Sequence, residues 1–156
     1  MEKLFDVRVL GSGDSALLRC MLSMFGQAFD DLVAYAGHPP EDAYLEQLLA
    51  SSTFVAVAAT ADGSVVGGIA AYVLPKFEQA RSELYIYDLA VDVRHRRRGI
   101  ATAMIAELRR LAAERGIYVL FVQADHGDAA AIALYTKLGI REDVLHFDIA
   151  PMPRIA

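Results

Sequence analysis

The most constraining feature of this chain is a junction: a long strand-like run passes through a short basic, glycine-ended loop directly into an amphipathic helix. Ser82 to Val93 carries Tyr85, Ile86, Tyr87, Leu89 and Val91, which is strand composition. Arg94 to Gly99 is a tight basic loop. Ile100 to Arg115 then places Ile100, Met104, Leu108 and Leu111 on one helical face and Glu107, Arg110 and Glu114 on another, with Gly116 as its stop. A helix that starts at the end of a strand presents unpaired N–H groups and about half a positive charge, so the junction suits a phosphate. Gly99 would let the backbone approach an anion closely, and Arg96, Arg97 and Arg98 add charge. Three arginines in a loop are also what a solvated surface patch looks like, and only the flanking strand and helix favour the anion site.

The remaining chain reads as one α/β arrangement. Phe5 to Leu10 alternates as a strand, and Gly11-Ser12-Gly13-Asp14 breaks it and offers an N-cap. Leu17, Leu18, Met21, Leu22, Met24 and Phe25 recur at helical spacing, loosely continued through Phe29 and Leu32 until His38-Pro39-Pro40. A second helix spans about Glu41 to Ala50, with Tyr44, Leu45, Leu48 and Leu49 apolar. Thr53 to Ala59 and Val65 to Leu74 flank Ala61-Asp62-Gly63-Ser64 as a hairpin ended by Pro75. Tyr118 to Gln123 predicts a buried central strand, Asp128 to Leu138 an Ala-rich helix capped by Gly139, and Val144 to Ile149 a last strand. The order is β-α-α-β-β-β-α-β-α-β over a single domain, 1–156, without repeat or linker.

Composition excludes several classes. A formal charge of −5 argues against a general nucleic-acid or anionic-membrane binder and suits a cationic partner. One cysteine, Cys20, allows no internal disulfide, and among Leu18, Met21 and Leu22 it reads as a buried core thiol. Charges at Glu2, Lys3, Asp6 and Arg8 leave no room for a signal peptide, so the cytoplasm is the expected compartment. Phe54 to Leu74 is broken by Asp62-Gly63 and predicts paired strands, not a membrane helix. His38, His95, His126 and His146 are too scattered for a metal site. Val7 to Ala16 imitates a dinucleotide fingerprint, but the acids at Asp30-Asp31 fall in a helical pattern and not at the end of a second strand.

Arg96, Gly99 and Ala101 in the loop, Leu89-Ala90-Val91 before it and Ala133-Leu134-Tyr135-Thr136-Lys137-Leu138-Gly139-Ile140 after it resemble the signatures of the GNAT superfamily of N-acetyltransferases. The likeness covers roughly residues 53 to 149. It implies a mixed, mostly antiparallel sheet flanked by helices. Tyr72 to Glu78, Tyr85 to Val91 and Tyr135 to Glu142, with Phe25-Gly26, Tyr35 and His38, are similar to the GNAT-type aminoglycoside 3-N-acetyltransferases, which inactivate gentamicin-like antibiotics. Asp128 stands where many members of the superfamily carry Asn, and Ile140 replaces their usual aromatic.

The resemblance implies acetyl-CoA as co-substrate, held by Leu89, Ala90 and Val91 and by Arg96, Arg97, Arg98, Gly99, Ile100, Ala101 and Thr102, with no metal; it adds a homodimer as a common state. Acyl transfer from a thioester to an amine needs a neutral nitrogen, donors for the oxyanion and a proton for the thiolate. Asp88, on an otherwise apolar and aromatic strand, is the candidate base, directly or through water; a rim carboxylate at a strand end would look the same. The resemblance makes Tyr135 the acid and a backbone N–H near Ala90 or Val91, at a splayed bulge, the oxyanion donor. A polycationic aminoglycoside would be met by Asp31, Tyr35, Asp125, Asp128, Glu142 and Asp148. The loop does not specify the acceptor, so a polyamine, a protein N-terminus or a non-catalytic CoA sensor remain alternatives.

Overall fold

The computed structural model describes residues 4–155, which divide into one compact unit up to Gln123 and a second from Ala124 onward. The first unit runs β1 (Asp6–Val9), α1 (Ser15–Ala28), α2 (Leu32–Ala36), α3 (Asp42–Ala50), β2 (Phe54–Ala61), β3 (Ser64–Pro75), β4 (Ser82–Val91), α4 (Ile100–Glu114) and β5 (Val119–Val122). The second contains α5 (Ala129–Leu138). The five strands form one sheet in the order β1-β2-β3-β4-β5, antiparallel except for the parallel β4–β5 pair. This is the mixed, mostly antiparallel α/β sheet that the sequence leads one to expect. No helix among the described residues is long and apolar enough to cross a membrane.

Strand alternation sorts the sheet into two faces. On one, Ala56, Ala58, Ala70 and Ala90 lie under Leu18, Met21, Met24 and Phe25 of α1 and Leu45 of α3 in one buried cluster. On the other, Val55, Val57, Ile69, Ala71, Leu84 and Ile86 are buried, and Ile100 and Met104 of α4 pack there against Gly67. The predicted face of α4 is the observed one, since Ile100, Met104, Leu108 and Leu111 are all buried. At Gly67 and Gly68 the helices come closest to the strand: a Cβ on Gly67 would lie 3.0 Å from Ile100 Cγ2, and one on Gly68 2.9 Å from Met21 Cε. Asp62 (φ 50°) and Gly63 (φ 76°) make the tight hairpin turn between β2 and β3, where left-handed backbone favours these residue types.

Several expectations are corrected. The first helical run is two helices, because Asp30 turns to φ 52° and Asp31 then caps α2 by accepting from Ala34 N at 3.0 Å. Asp14 is the N-cap residue of α1, but its side chain bonds none of the helix amides: its carboxylate accepts from Gly11 N and Arg8, and Glu46 of α3 accepts from Gly13 N and Ser15 N. That cap is tertiary, so no local pattern encodes it. Cys20 is exposed, because it lies on the outer side of α1 while its neighbour Met21 is fully buried. β5 is the last strand of the sheet and is only partly covered, so it is not a central strand. Gly139 does cap α5, in extended backbone (φ −146°), with its N–H donating to Tyr135 O. Val144–Ile149 forms no strand among the described residues: no ladder pairs it, and Val144, Leu145, Phe147 and Ile149 are exposed. Apolar alternation supplies one face of a strand but not the neighbouring backbone that would make it one.

The Gly68 contact is testable. A Cβ there would meet Met21 along its length, at 2.9 Å from Cε, 3.0 Å from Cγ and 3.2 Å from Sδ, so Gly68→Ala should destabilise the fold by about 1–3 kcal/mol, the usual cost of an overpacked core. Urea unfolding followed by circular dichroism measures this, with Gly127→Ala, which meets nothing within 4 Å, as the mild control.

Candidate active site

The site is set by a β-bulge in β4. Ala71 pairs with Ile86 but Ala70 pairs with Asp88, so Tyr87 is an extra residue in the ladder. Strict alternation would put Asp88 with Leu84 and Ile86 on the α4 face. The inserted residue moves it to the opposite face, beside α1, α2 and α3. There the Tyr35 hydroxyl of α2 donates to Asp88 Oδ1 at 2.7 Å. Tyr35 is itself held by ring contacts with Phe25 (5.9 Å between centroids) and Phe29 (5.4 Å). A cleft of about 180 Å³ opens at this point, lined by Asp88, Tyr35, Tyr44, Tyr72 and Phe54.

Half-burial pushes the Asp88 carboxyl above its ordinary range, and the Tyr35 hydrogen bond offsets part of that rise. Burial, followed by the Asp88 hydrogen bond, raises the Tyr35 phenol far above its usual value, and the Asp31 carboxylate adds to the effect. Tyr72 and Tyr85 are also raised, by burial first and then by neighbouring groups that include Asp88. The arrangement is a carboxylate of increased basicity facing a cleft walled by aromatic rings. Such a group can take a proton from an amine.

Beyond the bulge, β4 loses one neighbour. The β4–β5 ladder ends at the Ile86–Val122 pair, while β3 continues to pair through Val91. Residues 87–91 therefore have a strand partner on one side only, and the bulge lies at Tyr87 and not near Ala90 or Val91. Ala90 is buried and Leu89 and Val91 are partly covered. The chain then enters a short 3-10 turn, Val93–His95, where Asp92 accepts from Arg94 N, Nε and Nη2. These bonds hold its carboxyl well below the usual carboxylate range.

In the loop that follows, Arg97 (φ 63°) and Gly99 (φ 79°) are both left-handed. Arg96 Nε donates to Val91 O at 3.1 Å and Arg98 Nη2 to Arg94 O at 3.2 Å, so both guanidinium groups also brace the loop. Gly99 precedes α4 without a side-chain cap, and a Cβ there would meet nothing within 4 Å. Glycine is favoured here by its backbone angle, and the amides of Ile100, Ala101 and Thr102 stand at the helix start, which suits an anion.

In the second unit, Asp128 caps α5 by accepting from Ala131 N at 3.0 Å, and Asp125 O accepts from Asp128 N at 3.0 Å. Tyr135 is half-buried in α5, and burial and then the Asp128 charge raise its phenol above the ordinary value. Glu142 and Asp148 lie in irregular, exposed chain, with Asp148 beside His146 Nε2 at 3.0 Å. No group of three or more His, Cys, Asp or Glu among the described residues could hold a metal ion.

Thus Asp88 and Tyr35 are brought together, Leu89–Val91 and Arg96–Thr102 form one strand–loop–helix unit, and Asp128 and Tyr135 share α5. Asp31 and Asp128 each give an oxygen to a helix start. Sequence reasoning gave no site role to Tyr44, Phe54 or Tyr72, which line the cleft with Asp88; they come from three different elements, so no local pattern joins them.

Residues 21–140 match the model of the acetyltransferase (GNAT) family. The structure of an aminoglycoside acetyltransferase, HMB0005, from an uncultured soil metagenomic sample is 55% identical with a TM-score of 0.93, over 97% of this chain and 100% of that one. A second aminoglycoside acetyltransferase of the same kind of source, meta-AAC0020, solved in complex with sisomicin, is 27% identical with a TM-score of 0.87, over 96% of this chain and 97% of its own. Ribosomal protein bS18 alanine N-acetyltransferase of Escherichia coli (strain K12) is 32% identical over 69 residues. Those residues are 44% of this chain and 47% of that protein, so the match spans about half of the curated relative.

The raised pKa of Asp88 has a consequence for stability. A carboxyl whose folded pKa lies above its unfolded value binds protons more readily when folded, so stability falls as pH rises from the unfolded pKa through the folded one. Asp88→Asn keeps an acceptor for Tyr35 and removes the buried charge. It should raise the melting temperature at pH 7, with the gain over wild type shrinking as pH falls towards about 4, near the unfolded carboxyl pKa. Thermal unfolding across that range checks it.

Proposed function

The chain belongs to the GNAT acetyltransferase family, and from that premise we propose that residues 1–156 act as one domain that transfers the acetyl group of acetyl-CoA to the 3-amino group of the deoxystreptamine ring of gentamicin-class aminoglycosides. The observation that carries the acceptor class is the full-length likeness to HMB0005, at 55% identity. The 3-position rests on the sequence likeness of residues 72–78, 85–91 and 135–142 to the 3-N-acetyltransferases.

In this reading the acceptor nitrogen attacks the thioester carbonyl, a C–N bond forms and the C–S bond breaks. Asp88 takes the proton of the amine, directly or through water, and its raised pKa matches that task. Tyr135 gives a proton to the departing thiolate, and an outward N–H of residues 89–91 serves the oxyanion. Arg96, Arg97, Arg98 and the amides at the start of α4 hold the pyrophosphate. A carboxylate beside the reacting ammonium would oppose its deprotonation, so Asp31, Asp125, Asp128, Glu142 and Asp148 serve the other amines. Acetylation removes a positive charge from the drug and so weakens its hold on an anionic RNA target, which makes resistance the expected effect. The partial match to the Escherichia coli enzyme favours a protein N-terminal amine as the second reading.

The test is thiol release from acetyl-CoA with gentamicin or with an N-terminal alanine peptide. Mass spectrometry should show one added acetyl group on gentamicin, and NMR should place it on the 3-nitrogen. An unmodified drug, or acetylation of the peptide alone, rejects the reading. Asp88→Asn should lower kcat by roughly 10²- to 10⁴-fold, the range for a lost general base, and Tyr135→Phe by less.

The cofactor end is tested separately. A β-branched residue is disfavoured at φ 79°, so Gly99→Val should weaken CoA binding by about tenfold or more, roughly 1.4 kcal/mol, in calorimetry on a folded protein. Unchanged affinity would remove the loop from the binding site.

A further inference from the structure

One aromatic residue from each of four adjacent strands forms a row across the sheet. Phe54 of β2 lies directly opposite Tyr72 of β3, Tyr72 opposite Tyr85 of β4, and Tyr85 opposite Phe121 of β5. The rings touch in sequence: Phe54–Tyr72 at 5.6 Å and Tyr85–Phe121 at 4.6 Å, the latter stacked within 7° of parallel. The bulge residue Tyr87 closes the remaining gap, edge-on to Tyr72 at 5.8 Å (89°) and to Tyr85 at 5.5 Å. The Tyr85 hydroxyl is tethered to Gln123 Oε1 at 2.9 Å.

This row lies on the Asp88 face. The next pair along the β3–β4 ladder on that face is Ala70–Asp88. Only Phe54 is buried; Tyr72 is 39% exposed and Tyr87 63% exposed. Cross-strand aromatic pairs stabilise a sheet, but an aromatic row left open beside a half-buried carboxylate has a recognition chemistry of its own. Ring faces carry partial negative charge, and they attract ammonium groups and the C–H faces of sugar rings that electron-withdrawing amino substituents make more positive.

Building on the aminoglycoside reading, we infer that Tyr72, Tyr85 and Tyr87 form a floor on which an amino-sugar ring of the acceptor stacks, with its ammonium groups directed towards Asp88. The ligand class is a ring-bearing polyamine in preference to a linear one. The carboxylate alone would accept either kind of amine; the exposed tyrosine rings, inclined to one another at 66° and 89°, offer an angled aromatic contact that a sugar ring fills better than a linear chain. Tyr87 serves both purposes, because the insertion that moves Asp88 onto this face also places its own ring at the edge of the floor.

Saturation-transfer NMR on the full chain, with sisomicin and with the uncharged disaccharide trehalose as probes, tests this. Saturation should be strongest on the sugar ring C–H protons for both probes, and those protons should shift upfield under the ring currents. Tyr87→Leu, at an exposed position that tolerates change, should weaken sisomicin binding tenfold or more, whereas Tyr87→Phe, which keeps the ring, should bind within about threefold of wild type. Tyr72→Leu is the second variant, with its fold checked by circular dichroism. Wild-type affinity in both Leu variants overturns the floor, even if sisomicin is acetylated. Ring-proton saturation lost in Tyr87→Leu supports the floor, even if the wild-type protein leaves sisomicin unacetylated and the proposed acceptor falls. A protein that neither binds nor acetylates sisomicin overturns both.

Discussion

A single extra residue in β4 decides where this protein can do chemistry. Side chains alternate between sheet faces with a period of two, so one inserted residue reverses the parity of everything after it. Before Tyr87, the residues that share a face with Leu84 and Ile86 are buried on the α4 side; after it, Asp88 and Ala90 belong to the opposite side. Without the insertion a carboxylate would be buried beneath α4 against Leu84 and Ile86. With it, the same residue faces Tyr35 and an open cleft.

The rest of the first unit is graded around that point. The middle of the sheet is built from the smallest residues, Gly67, Gly68, Ala56, Ala58 and Ala70, which let α1 and α4 approach closely from opposite faces. Towards one end the residues become aromatic, and beyond the buried Phe54 the rings are only partly covered. Towards the other, β4 leaves β5, turns over Asp92 and enters α4 through two left-handed residues. One strand thus carries an acceptor-facing carboxylate and, a few residues later, an anion-facing loop. A group-transfer enzyme that must bring two substrates together needs this proximity.

Legibility in the sequence followed the range of the interactions. The hairpin, the apolar face of α4 and the strand–loop–helix junction depend on neighbours within a few residues, and each was readable. The place of the bulge was not: the resemblance implies one near Ala90 or Val91, and Tyr85-Ile86-Tyr87-Asp88 looks the same whether or not β3 skips a residue opposite it. Glu46 capping α1 and the Tyr35–Asp88 hydrogen bond join residues 31 or more positions apart, and the aromatic row joins three strand pairs whose partners no local pattern specifies. Cys20 failed for a narrower reason: apolar neighbours at 18, 21 and 22 fill the inner side of the helix, and its own angle carries it outside. Val144–Ile149 had the right residues for a strand but lacks a paired neighbour among the described residues.

The packing around Gly67 and Gly68 also governs how such a chain can change over generations. Two successive positions that admit no side chain without displacing Met21, Ile100 or Met104 are closed to most single replacements, because each would cost a sizeable share of a fold's small stability margin. Tyr72 and Tyr87, by contrast, hold up little of the core, and replacements at exposed positions usually move stability by only about half a kcal/mol. Variation is therefore channelled to the rim of the cleft while the frame behind it stays fixed. A lineage built on this plan can alter the shape of the molecule it accepts in single steps, each leaving a folded protein for selection to act upon.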